Sequence, residues 1–305
     1  MTITAPAPPD DLIDQHTRRV ERLNTASANR VIDPDVDLAG TVGDGQVVSR
    51  RMLSVYGLDL ELTDEEWATL SREEMASVFD AGVRFESSLM ANFGISLAYR
   101  DDLTDPRVTY MLHEVGEETR HSRLFVRVIS QLGPTAKNPF TGLAFKVMDR
   151  IVMGWALRHD AAFMVMILFG EEGPDLLQKL AVEDPETDPF IKSVNRYHRA
   201  EEARHLSFAR TVLGELYADA GWFERFLIRH VAPAAGMATF DSLVHPGVYA
   251  TIGLPTWQTW NAARKTPERM ALKRQVLRPV CDALVAAGAF RSGRPTRAWR
   301  RALAG

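Results

Sequence analysis

The pentapeptide Glu-Glu-x-Arg-His occurs twice in the chain, at Glu117–His121 and Glu201–His205, and this repeat constrains the fold more than any other feature. In each copy the second Glu precedes the His by three residues. On a helix this spacing puts both side chains on one face, about 4.5 Å apart along the axis. A carboxylate and an imidazole so placed can bind one metal ion together. Two such pairs on antiparallel helices can bind two ions, as in four-helix bundles whose other two helices add one Glu each.

Both copies fall inside long segments with helical patterning. A capping box begins near Thr63, and Asp-Pro pairs at 105–106 and 188–189 open two further helices. The predicted helices span roughly residues 63–99, 106–132, 142–157, 160–180, 188–218, 223–231 and 267–287. Equivalent residues of the two copies, such as Glu118 and Glu202, are 84 positions apart, and that interval contains a helix pair. The spacing predicts a two-helix hairpin used twice, in an all-α four-helix bundle.

The flanking segments are less regular. We expect residues 1–55 to form an N-terminal arm that is partly irregular, with a short helix possible at 13–23 and a brief strand signal at 46–49. Residues 56–230 hold the bundle. Residues 231–305 form a C-terminal helical extension packed on the same domain, in which 246–256 has the composition of a loop.

The second copy is preceded by a further imidazole. His198, Glu202 and His205 are spaced by four and three residues, so they lie in a stripe about 60° wide on their helix. The first copy offers Glu118 and His121. Glu114 takes the place there that His198 takes in the second copy, and it could stand behind the ligands or be exposed.

Two more carboxylates are needed from the other helices. Glu86 lies amid apolar residues, and Glu171 and Glu172 follow an apolar run from Ala161. A buried carboxylate is costly unless it is paired or binds a metal. Glu86 could instead pair with Arg84, and the following Gly173-Pro174 could end the helix and leave both later Glu residues in water.

The repeat itself leaves one choice open. The first Glu of each copy, Glu117 or Glu201, stands four residues before its His, so it could also reach a metal ion. We prefer Glu118 and Glu202 because the bundle design uses the three-residue spacing. Arg120 and Arg204 are then expected to form ion pairs behind the ligands. Carboxylates and imidazoles without thiolate suit iron or manganese better than a structural zinc ion.

Composition limits the other possibilities. The net charge is −4 and no block of five like charges occurs, so nucleic-acid binding has no electrostatic support. The single Cys281 suits a reducing compartment and excludes an intramolecular disulfide. The start of the chain lacks the features of a signal peptide, and the longest apolar stretch is about half of a membrane span. We expect a cytoplasmic protein without a membrane segment.

The order of these residues resembles the di-iron arylamine N-oxygenases, typified by the p-aminobenzoate N-oxygenase. The resemblance covers roughly residues 60–230 and implies a ferritin-like core with an additional His on the last core helix, which His198 would supply. It implies two iron ions, with manganese as an alternative, and O2 as co-substrate, with His198 acting in catalysis through its ion. The implied metal ligands are Glu86, Glu118, His121, Glu171, His198, Glu202 and His205.

The resemblance also implies the reaction, which is oxidation of a small arylamine toward a hydroxylamine and a nitro product. No flavin motif is visible, so the electrons would come from an external donor, and the likeness implies a homodimer. Arg84 is a candidate to bind a substrate carboxylate. The alternatives are a di-iron or iron–manganese C–H hydroxylase or oxidase, a non-enzymatic ferritin-like iron-binding protein, and a bundle without metal.

Overall fold

The computed structural model describes residues 10–28, 38–290 and 293–304. Over these residues the chain forms 11 α-helices and three short 3₁₀ helices, with no strand, which confirms the all-α fold. The α-helices are α1 (Asp10–Ala28), α2 (Asp64–Ala98), α3 (Pro106–Leu132), α4 (Leu143–Ala156), α5 (Asp160–Glu183), α6 (Pro189–Asp219), α7 (Trp222–His230), α8 (Ala232–Ser242), α9 (Thr256–Ala263), α10 (Pro267–Ala286) and α11 (Arg297–Leu303). The 3₁₀ helices are Arg50–Met52, Pro139–Thr141 and Pro246–Ile252.

Four helices form the ferritin-like core. Helix α2 packs along α3 and helix α5 packs along α6, while α3 contacts α6 and α2 contacts α5. Helix α4 lies between the two hairpins in sequence and connects them. The bundle is therefore built from one helical hairpin used twice, as the spacing of the pentapeptides predicts.

The core helices begin where local chemistry favours a start. At α2 the Thr63 hydroxyl accepts a hydrogen bond from the Glu66 N–H (3.2 Å), and the Glu66 carboxylate accepts one from the Thr63 N–H (2.7 Å). Asp105 and Asp188 cap α3 and α6, each followed by Pro in the first turn. Gly133 ends α3 in the left-handed conformation, with φ of 61°.

The structure differs from the sequence-based expectations at 46–49 and 246–256. Residues 46–49 form no strand; Val47 and Val48 are apolar because they are buried against the core helices. Most of segment 246–256 is the 3₁₀ helix Pro246–Ile252 and not a loop. Helix α5 confirms the predicted helix 160–180 and continues to Glu183 with Pro174 inside it, so Gly173-Pro174 does not end it.

The first and last helices of the described residues pack on the rest of the fold. Helix α1 is longer than the predicted 13–23 and contacts α3 and α6, with Val20 buried. At the other end, the buried Trp299 of α11 donates a hydrogen bond to the Ile228 carbonyl (3.1 Å). The division at 55 and 230 stays a prediction. Among the helices of the described residues, none has the length and apolarity that a membrane crossing needs.

Candidate metal centre

All seven predicted ligands lie inside the four-helix core, and each is at most 3 % exposed. Helices α2 and α5 bring Glu86 and Glu171, one residue each. Helices α3 and α6 bring the pentapeptide residues, and α6 also brings His198. The structure thus brings together side chains that are up to about 120 positions apart in the sequence.

The donor atoms form overlapping groups. One consists of Glu86, His121 and His198, and another of Glu118, His121 and Glu202, with the donor atoms in each group within 4.8 Å of one another. The Nδ1 atom of His121 lies 3.1 Å from Glu118 Oε2 and 3.2 Å from Glu202 Oε1. The two central carboxylates therefore lie against this imidazole from both pentapeptide helices.

His205 has the matching surroundings. Its Nδ1 atom lies 3.1 Å from Glu118 Oε1 and 3.0 Å from Glu202 Oε2. Each central carboxylate thus presents one oxygen to each of two imidazoles. This is the arrangement required of carboxylates that bridge two metal ions.

The first Glu of each pentapeptide contacts the other copy. The Nε2–H of His121 donates to Glu201 Oε2 (2.8 Å), and the Nε2–H of His205 donates to Glu117 Oε2 (2.8 Å). These bonds turn the Nδ1 atom of each imidazole toward the centre. The two adjacent Glu residues of each copy therefore have different functions: the second faces the centre, and the first orients the His of the opposite helix.

Two arginines stand behind these carboxylates, as predicted. Arg204 donates to Glu117 Oε1 (2.8 Å), and Arg120 lies 3.6 Å from Glu201 Oε1. Their charges offset the two outer carboxylates, so the outer ring of the site is close to neutral.

His198 approaches the centre through its other ring nitrogen. Its Nε2 atom lies 3.3 Å from Glu202 Oε1 and 3.5 Å from Glu86 Oε1. Its Nδ1–H donates to Gln178 Oε1 (2.9 Å), which fixes the tautomer. Sequence reasoning missed Gln178; the available signal was a polar residue two turns after Glu171 on the same helix.

The structure separates the neighbouring Glu171 and Glu172. Glu171 faces Glu202 in the interior, whereas Glu172 forms an ion pair with Arg210, a residue nearer the surface. Arg84 pairs with Asp80 on the solvent side of α2 (2.9 Å) and not with Glu86, and its binding of a substrate carboxylate stays a prediction.

Whether these residues fit metal ions can be tested from their unpaired atoms. Six buried atoms of the cluster make no hydrogen bond of good geometry: Glu86 Oε1, Glu114 Oε2, Glu118 Oε1, Glu171 Oε1, His198 Nε2 and Glu202 Oε1. Those of Glu86, Glu118, His198 and Glu202 only lie within 3.5 Å of a carboxylate or imidazole across the cluster. Each such atom costs about 1–3 kcal/mol when it stays unpaired. All six are oxygen or nitrogen atoms that iron and manganese accept as ligands, so the residues fit a centre of two ions.

The electrostatics of the cluster also indicate bound cations. Burial raises the pKa of Glu171, and the charges of Glu202 and Glu118 raise it further. Burial alone would lower the pKa of His121, but hydrogen bonds with Glu118 and Glu201 hold it well above its ordinary value. Without metal, the cluster therefore favours the protonated forms of Glu171 and His121, and bound cations would replace these protons as the charge that balances the carboxylates.

Comparisons with known proteins agree with this geometry. Three mycobacterial relatives, uncharacterized protein Mb0909 of Mycobacterium bovis and uncharacterized proteins MT0908 and Rv0885 of Mycobacterium tuberculosis, are each 28 % identical over 172 residues, which is 56 % of this chain and 50 % of the relative. The chain thus spans about half the length of these curated relatives. No solved structure gave a significant match.

The family model described as P-aminobenzoate N-oxygenase AurF matches residues 14–288. Because that match covers most of the sequence, the chain belongs to the p-aminobenzoate N-oxygenase family, a di-iron ferritin-like family.

Proposed function

We propose that this chain is a non-haem di-iron oxygenase that uses O2 to oxidise a small arylamine toward a hydroxylamine and nitro product. The observation that supports this function best is the close approach of buried carboxylates and imidazoles from α2, α3 and α6, whose potential ligand atoms form overlapping groups within 4.8 Å. Glu171 of α5 lies beside Glu202 of this cluster. Membership of the p-aminobenzoate N-oxygenase family supports the same reaction class.

In the proposed centre, Glu86, His121 and His198 would hold one iron ion, and Glu171 and His205 would hold the other. Glu118 and Glu202, each of which lies within 3.2 Å of both pentapeptide imidazoles, would be shared between the two ions. When bound, the ions supply redox chemistry with O2 that none of these side chains can carry out. Manganese at either position is the alternative that the same ligand types allow.

The protein's own part is orientation and exclusion of water. Glu117 and Glu201 hold the protons on Nε2 of His205 and His121, which leaves both Nδ1 lone pairs available to the ions that the centre would hold. Gln178 does the same for His198 from its Nδ1 side. Ser122 donates to Glu86 Oε2 (2.6 Å) and leaves Oε1 for the metal. We propose that His198 acts in catalysis by adding a neutral donor to one ion.

A cavity of about 40 Å³ lies beside Gln178, and we propose that a small substrate reaches the centre from this side. Apolar side chains such as Phe79 and Leu177 line it, together with the buried amide of Asn195. Typical ligand sites measure about 300–1,000 Å³, so an aromatic substrate requires side chains to move. Met52 and Met75 also line the cavity, and flexible thioether side chains suit that adjustment.

The resemblance supports three further proposals about the molecule in its cell. These are an external electron donor, a homodimer and a cytoplasmic location. Helix α4 exposes an apolar stripe that includes Leu143, Val147 and Ile151, which is where a second copy would gain most by packing.

The function can be tested by reconstitution. Metal-free protein is titrated with ferrous iron under anaerobic conditions, and O2, a reductant and p-aminobenzoate are then added. We expect two iron ions per chain and products heavier than the amine by the mass of added oxygen, measured by mass spectrometry. Binding of many iron ions per chain would indicate iron storage. Oxidation of alkyl compounds without oxidation of any amine would indicate a C–H hydroxylase. A protein that binds no iron would overturn the proposal.

Two adjacent residues provide a matched pair of variants. Glu171→Gln removes a proposed ligand, and we expect the affinity for one of the two ions to fall by at least about tenfold. Glu172→Gln changes the same side chain one position later, where it pairs with Arg210 outside the centre. We expect unchanged iron binding in the Glu172 variant. Equal effects of the two substitutions would contradict the assignment.

A further inference from the structure

Glu114 is a buried carboxylate to which the seven-ligand scheme gives no function. It is 1 % exposed, and its Oε2 atom has no hydrogen-bond partner. Tyr110, one turn earlier on α3, has a buried hydroxyl that also lacks a partner, so Tyr110 does not account for Glu114. A carboxylate held in this way is expensive unless something else binds it.

The position of Glu114 mirrors that of His198. Glu114 precedes Glu118 by four residues on α3, and His198 precedes Glu202 by four residues on α6. The contacts of the two hairpins repeat in the same way, with equal 2.8 Å bonds from each pentapeptide His to the Glu of the other copy. The interior of the bundle therefore has approximate two-fold symmetry at the level of single side chains.

This symmetry assigns Glu114 to one ion. His198 groups with Glu86 and His121, and Glu114 groups with Glu118 and His205, with the donor atoms of each group within 4.8 Å of one another. The two groups share no residue, so Glu114 and His198 belong to different sets of potential ligands.

We propose that Glu114 is an eighth ligand, which binds the ion held by Glu171 and His205. The inference rests on the proposed di-iron function and makes the two positions chemically different. One position has two imidazoles, and the other has one imidazole and an additional carboxylate. Carboxylates favour manganese more than imidazoles do, so the position of Glu114 takes manganese more readily than the position of His198.

The negative charge of Glu114 also affects the reduction potential of the centre. The four carboxylates Glu86, Glu118, Glu171 and Glu202 already balance two divalent ions. A fifth carboxylate beside the centre favours the ions after they lose electrons, because the negative charge then offsets the added positive charge at short range in a buried site. Glu114 therefore lowers the reduction potential of the centre.

The test replaces the carboxylate by an amide of the same shape. In Glu114→Gln, we expect one of the two ions to bind about tenfold or more weakly in anaerobic titrations with ferrous iron and with Mn²⁺. The other ion keeps its affinity, and the midpoint potential of the iron-loaded protein rises. Glu73→Gln is the control: Glu73 is also a buried carboxylate, but it accepts hydrogen bonds from Thr135 and Ala136. That variant should bind both ions as the wild type does.

A second variant keeps the inference testable if the first folds poorly. Glu114→His installs the imidazole that the other copy has at this position, so we expect two bound ions, a higher midpoint potential than in the wild type, and weaker Mn²⁺ binding. Unchanged affinities and potential in both variants, with two ions in the wild type, would overturn this inference alone. A wild-type protein that binds no metal would overturn the proposed function together with it.

Discussion

At the residue scale, the two pentapeptides are explained by contacts between them. The first Glu of one copy accepts the Nε2–H of the His of the other copy, and the second Glu lies within 3.2 Å of both imidazoles. The Arg of each copy lies beside the outer carboxylates. Each Glu, Arg and His of the repeat therefore has its own contact, and most of these contacts are with the other copy.

This cross-pairing predicts the effect of Glu201→Gln. The amide can still accept from His121, but it lacks the charge that makes the imidazole a stronger donor. We expect metal affinity to fall about 10–100-fold, measured by competition with a chelator. Glu215→Gln is the control on the same helix, since Glu215 pairs with Arg107 (2.6 Å) away from the centre. A loss of the same size in the control would show that the effect comes from the helix and not from the contact.

At the scale of helices, the approach of α2 to α5 sets the distance between two proposed ligands. Gly170 of α5 faces the ring of Phe85, and a Cβ atom on Gly170 would lie 1.7 Å from Phe85 Cζ. Glu171 and Glu86 follow these two residues directly. The absent side chain thus allows the two carboxylates to approach a common centre.

Gly170→Ala should separate the two helices. We expect a loss of about 1–3 kcal/mol in the free energy of unfolding, because the Phe85 ring must move within a packed core. Gly94→Ala is the contrast: Gly94 is an exposed residue of α2 with nothing within 4 Å of the added Cβ. Its replacement should stabilise the protein by about 0.5–1 kcal/mol. Denaturant unfolding of the metal-free proteins measures both, and a stable Gly170 variant would refute the close-contact explanation.

At the scale of the whole molecule, the centre places like charges in the middle of the fold. Burial raises the pKa of Glu114 to about 8 and that of Glu171 well above its ordinary value, which shows how unfavourable the ionised forms are there. In the metal-free protein, these buried carboxylates therefore lower the free energy of unfolding. The packing of the surrounding helices, including Trp299 at the far end of the chain, has to outweigh that cost.

Metal should consequently stabilise the folded chain. One ion at a free concentration of 100 times its Kd adds about 2.7 kcal/mol, and a second ion adds to this. We expect the thermal midpoint to rise with ferrous or manganous ions and to fall after treatment with a chelator, as measured by calorimetry. A midpoint that does not respond to either treatment would favour the bundle without metal.

Much of this architecture could be predicted from the sequence. The four core helices, their order, and the facing of Glu118 with His121 and of Glu202 with His205 follow from the 3.6-residue period, Asp-Pro starts and Gly stops. Such signals are local, so each helix carries them itself. The apolar Val47 and Val48 suggested a strand at 46–49, because burial and β-structure favour the same residue types.

The sequence by itself therefore determined the helices and the identity of the residues that can face a metal. Only the tertiary structure decided that Glu171 and not Glu172 turns inward, that Glu117 and Glu201 hold the His of the opposite helix, and that Gln178 and Glu114 belong to the site. The physical reason is that periodicity specifies a face of one helix, whereas these contacts depend on the distance and rotation between helices. That geometry comes from packing, such as the contact of Gly170 with Phe85.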